Sequence, residues 1–189
     1  MPRPTPPEPS RLSPDDGRKL VALAHAAVAA AVRDEPPPPI PDDAFFNDRR
    51  GVFVTVHVRG QLRGCIGYPL PIKPLGAAII DLAASAALRD HRFDPVAPGE
   101  LADLDVEVSA LTVPHAISAV TEIEVGRHGL IVGRGHLRGL LLPQVATEYG
   151  WDVETFLEHT CMKAGLPRDA WKQPGTDIQA FEAQVFGDR

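Results

Sequence analysis

The 189-residue chain predicts an α+β fold, a mainly antiparallel sheet flanked by helices. Strand-like segments follow one another across short glycine turns, as hairpins do, instead of alternating regularly with helices. Separate Ala- and Leu-rich stretches carry apolar residues at helical spacing. Proline is concentrated at the start: 11 of 20 fall within the first 41 residues, so the remainder has an ordinary globular composition. Residues 1–12 read as a disordered proline-rich arm in which Pro4 and Pro7 match a PxxP ligand, and residues 13–189 read as one folded domain.

The first helix is expected to start at Ser13, a good N-cap, with Pro14 at the first helical position and Asp15 and Asp16 at the positive end of the helix dipole. Leu20, Leu23, Ala27, Val28, Ala31 and Val32 form its buried stripe, and Pro36 to Pro39 end it. His25, inside this helix, reads as a packing residue. GVFVTVHVR then alternates as a strand, with Val52, Val54, Val56 and Val58 on one face and Phe53, Thr55, His57 and Arg59 on the other. Gly60 and Gln61 are expected to turn it into a second strand, LRGCIG. A second helix is expected from about Leu75 to Asp90, and a strand over DVEVSAL. Glu122–Val125, Leu130–Val132 and Leu137–Leu142 are further strand candidates, punctuated by the glycines of GRHGLIVGRG. Asp152 should cap a last helix running to about Ala164, with Cys161 on its inner face, and Asp177–Phe186 is a possible final strand.

Several function classes are excluded early. A net charge of −6 disfavours nonspecific DNA binding. MPRPTPPEPS lacks the apolar core of a signal peptide, and no apolar run is long enough to span a bilayer, so a soluble, cytoplasmic protein is expected. Two cysteines 96 residues apart, with no CxxC, argue against a disulfide framework or a zinc site. The glycines Gly133 and Gly135 are followed by more strand, not by a helix, and no GxxxxGK[ST] loop occurs, so no cofactor and no metal is expected.

Chemistry concentrates in LRGCIG. Period-two geometry predicts Arg63 and Cys65 on one face, and an arginine beside a thiol favours the thiolate nucleophile. Gly64 and Gly67 remove bulk and could let a ligand approach the backbone, although they could equally mark tight packing. A polar set of Arg92, Glu107, His128 and Gln144 offers a cation for an anionic group, a carboxylate and an imidazole for proton transfer, and an amide for orientation. Two functions fit these residues. In an enzyme, Cys65 acts as nucleophile, Arg63 or Arg92 holds an anionic group and Glu107 or His128 moves the proton; in a binding or regulatory module, LRGCIG supplies shape and backbone hydrogen bonds to a small molecule or a partner segment without turnover, with Arg63, Gly64, Gly67, Arg92 and Gln144 as the ligand-binding candidates.

FVTVHVRGQLRGCIG, DHRFDPV, EVSAL, GRHGLIV, RGLLLPQVATEYGWD and CMKAGLPRDAW occur in this order, and through them residues Leu20 to Phe186 resemble the AMME chromosomal region domain family. Its prokaryotic members are called AmmeMemoRadiSam system protein A. His91 stands where the family usually has proline, and His57 where lysine is frequent. The resemblance implies a larger and a smaller lobe with a hollow between them near LRGCIG. It also implies an accessory role beside a Memo-type protein and a radical S-adenosylmethionine protein, with an unknown small-molecule ligand. RNA modification, also proposed for the family, fits poorly with 6% aromatic residues and an acidic balance.

Overall fold

The computed structural model describes residues 11–188, which form two compact units. The first comprises the chain up to Leu111 together with residues from Gln184 onward; the second runs from Thr112 to Ala183. The arm expected over residues 1–12 lies outside the described residues except for Arg11 and Leu12. Leu12 belongs to the fold: it is buried, and its N–H and C=O are both satisfied by the side-chain amide of Gln184 at 2.9 and 3.0 Å.

In the first unit, α1 (Pro14–Val32) starts as the sequence dictates. The Ser13 hydroxyl accepts the Asp16 N–H, while the Asp16 carboxylate accepts the Ser13 N–H, a reciprocal capping box. Strands β1 (Val52–Val58) and β2 (Gln61–Tyr68) form a hairpin, and β1 pairs on its other side with β3 (Leu104–Leu111). The turn sits one residue earlier than expected, at Arg59–Gly60, both with positive φ (51° and 76°) as a type I′ turn needs. Helix α2 (Leu75–Leu88) and α1 pack over the valine face of β1, where all four valines are buried. The last residues of β7 (Asp177–Gly187), from Gln184 on, complete this sheet beside β3.

The second unit is a smaller antiparallel sheet in the order β4 (His115–Ala116), β7, β5 (His128–Arg134), β6 (Leu137–Leu141). Helices α3 (Pro143–Glu148) and α4 (Val153–Lys163) cover it, with Phe156, Leu157 and Cys161 in the core. Glu122–Val125 is not a strand. Its Glu122 carboxylate accepts the N–H groups of Ser118 and Ala119, which winds residues Val120–Glu122 into a 3₁₀ turn. The α+β class with antiparallel pairing holds throughout.

Candidate functional site

The register of the first unit puts chemistry on the sheet face opposite the valines. Thr55 is opposite Cys65 on one side and Glu107 on the other, so all three side chains stand in one row across β2, β1 and β3. The Thr55 hydroxyl donates to Cys65 Sγ at 3.3 Å. Neighbouring strands are about 4.8 Å apart, so Cys65 and Glu107 are separated by about 10 Å, with Thr55 between them. The adjacent row holds His57 opposite Asp105. His57, Asp105, Glu107 and Val185 line a cavity of about 310 Å³ together with Val106, Gly187 and Asp188.

The backbone of Cys65 is clamped from the outside. β2 is the edge strand, and the Cys65 N–H, turned away from β1, donates to Asp90 Oδ2 at 2.9 Å. The Cys65 carbonyl accepts from Arg92 Nη2 at 3.1 Å, and the same guanidinium grips Asp90 at 2.6 and 2.9 Å. One carboxylate and one guanidinium thus stand in for the missing neighbour strand and seal the edge at this residue. The side chain of Asp90 is buried. The Arg92 guanidinium, against the opposing effect of burial and aided by the Cys65 N–H, holds the Asp90 carboxyl well below the usual range.

The other residues singled out in the sequence have different surroundings. A bulge skips Arg63, because Val56 is opposite Gly64 while His57 is already opposite Leu62. Arg63 consequently departs from the shared-face geometry expected of it, and its donors go to Glu100 Oε1 at 2.5 Å and to the carbonyls of Asp94 and Pro95. A Cβ on Gly64 would stand 1.9 Å from the Ala86 carbonyl oxygen, and one on Gly67 would stand 2.1 Å from the Phe53 ring. The open space at both glycines is therefore filled by the protein itself. His128 and Gln144 lie in the second unit. His128 opens β5 and is buried, with Nδ1 accepting the Glu124 N–H at 3.1 Å. Gln144 lies in the first turn of α3, where its carbonyl accepts the Thr147 hydroxyl. Both cysteines are free thiols; Cys65 is half-buried, Cys161 is fully buried, and burial pushes the Cys161 thiol up. Thr55 and Asp90 escaped sequence reasoning, since only the β1 register and the fold-back after α2 bring them to Cys65.

Residues 21–186 match the AMMECR1 family. The chain belongs to that family. Among its relatives are a protein of Methanothermobacter thermautotrophicus, 54% identical over 93% of this chain and 95% of its own length, and one of Methanosarcina barkeri, 47% identical over 92% and 91%. The crystal structure of an uncharacterised protein from Pyrococcus horikoshii, 42% identical, superposes with a TM-score of 0.82 and covers 94% of each chain. This AMMECR1 chain contains, among the described residues, no helix long and apolar enough to cross a membrane and no group of three or more His, Cys, Asp or Glu side chains placed to hold a metal ion.

Proposed function

We propose that this AMMECR1 chain binds a small molecule on the polar face of its first unit and that Cys65 acts on it as a nucleophile. The observation that supports this reading is the Cys65–Thr55–Glu107 row, whose Glu107 end lines a cavity. Cys65 supplies a soft nucleophile, and the Thr55 hydroxyl, which already donates to its sulfur, favours the thiolate that would attack. Three carboxylates and one imidazole line the cavity, which favours a neutral or cationic ligand with N–H or O–H donors. An anionic ligand fits less well, because Arg63 and Arg92 are engaged by Glu100 and Asp90. Family membership is what supports an accessory role beside Memo-type and radical S-adenosylmethionine proteins.

A second reading, binding without turnover, draws on Gly64 and Gly67, whose contacts make LRGCIG a packing motif as much as a chemical one. Native mass spectrometry of protein purified from its own cells separates the two. A bound mass that persists in Cys65→Ser but is released by Glu107→Gln supports binding alone, and a mass covalently attached through Cys65 supports the nucleophile. Protein with neither adduct, unchanged by both substitutions, would remove the polar face as the site.

A further inference from the structure

His25, which composition alone assigns to packing, has a partner 163 residues away: its Nε2 lies 2.5 Å from Asp188 Oδ2. The same carboxylate oxygen accepts the Val106 N–H at 2.8 Å, so the carboxylate is held by backbone and in turn orients the imidazole. In the neutral imidazole, donating Nε2–H to Asp188 leaves Nδ1 as an acceptor. The pair lies on the wall of a cavity of about 510 Å³ between α1 and the end of β7, within the range typical of small-molecule sites. Its floor is apolar: Val21, Ala22, Val185 and Phe186 line it. Gly17 is what lets Phe186 reach this place, because a Cβ there would lie 2.1 Å from the ring. Arg18 closes the other end. Among the described residues one of its guanidinium nitrogens is engaged, by Asp15 at 2.8 Å, which leaves donors of the fork to take a carboxylate. Arg18 and His25 are seven residues apart on one helix, hence about 10 Å along its axis.

We infer that this cavity is a binding site for an aromatic hydroxy acid, the ring against Val21 and Phe186, the hydroxyl donating to His25 Nδ1 and the carboxylate on Arg18. The site shares Val185, Gly187 and Asp188 with the polar-face cavity but differs from it in chemistry: here a cation and an oriented imidazole bracket an apolar floor, whereas the polar-face cavity is lined by Asp105, Glu107 and Asp188 with His57. The test titrates 4-hydroxyphenylacetate into the full chain and follows backbone amide shifts by NMR. Saturable 1:1 shifts at Val21, Ala22 and Phe186 are expected. Phenylacetate, lacking the hydroxyl, and 4-hydroxyphenylacetamide, lacking the charge, should each bind roughly tenfold more weakly, the effect of losing one good hydrogen bond. Arg18→Ala should weaken 4-hydroxyphenylacetate but leave 4-hydroxyphenylacetamide unchanged. Ala22→Trp, at an exposed helix position, fills the cavity and should abolish binding without lowering the melting temperature. No saturable shifts, binding that survives Ala22→Trp, or equal affinity for all three compounds would overturn the assignment.

Discussion

Asp90→Asn tests whether the clamp on Cys65 holds the edge of the sheet. In the native protein Asp90 Oδ2 accepts the Cys65 N–H and Arg92 Nη2, while Oδ1 accepts Arg92 Nε and, at 3.3 Å, its backbone N–H. An asparagine has one acceptor oxygen, so whichever way its amide turns, an NH₂ group faces donors. Two charge-assisted hydrogen bonds are lost, each worth about 1.5 to 3 kcal/mol. Arg92 is 53% exposed and rehydrates, which favours the lower end and a total of about 3 kcal/mol. At this chain length that corresponds to about 6 to 12 °C in melting temperature. Far-UV circular dichroism is the assay, because α1 and α2 belong to the first unit whereas both tryptophans, Trp151 and Trp171, report on the second. The pH dependence carries a separate signature. The folded-state pKa of Asp90 is depressed, so its contribution is complete above the unfolded value of about 3.9 and is lost as pH falls below it. Wild type should therefore lose more stability than Asp90→Asn on acidification below about pH 4. A variant melting within about a degree of wild type, with the same acid slope, would refute the clamp.

Three further substitutions probe the fold that presents the site. Gly64→Ala drives a Cβ into the Ala86 carbonyl, and overpacking of this kind costs about 1 to 3 kcal/mol; urea unfolding at wild-type midpoint would mean the hairpin does not rest on α2. Arg59→Asn gives the type I′ turn its favoured residue and should stabilise by up to about 1 kcal/mol, since the exposed Arg59–Asp103 pair contributes little; a lowered melting temperature would contradict this. Asp152→Ala removes the side-chain acceptor for the Thr155 N–H at the start of α4 and should cost about 1 kcal/mol, read by tryptophan fluorescence in the second unit.

Local chemistry made much of this architecture readable. Ser13, Pro14 and Asp16 determine the start of α1, and Asp152 that of α4, because caps act within three residues. The valine alternation of β1 fixes which face meets the helices, and with it the side on which Thr55 and His57 stand. What could not be read depends on partners distant in sequence. The bulge that turns Arg63 away from Cys65 exists only in the pairing with β1, and the Asp90–Arg92 clamp forms only once the chain folds back after α2. Glu122–Val125 has strand-like residues, yet the N–H groups of Glu122, Ile123 and Glu124 go to local acceptors, the Ala119 and Val120 carbonyls and His128 Nδ1. His25 finds Asp188 through the last strand, a contact that helical periodicity does not encode.

The central claim, that Cys65 is the reactive thiol of an accessible polar face, is tested most directly by peptide-mapped alkylation of the native protein. Iodoacetamide applied without denaturant should label Cys65, and labelling should slow when the native ligand is bound. Cys161, fully buried and with its thiol pushed up by burial, should be labelled only after unfolding. A native protein in which Cys65 stays unlabelled while Cys161 reacts, or in which both react only on unfolding, would contradict the account.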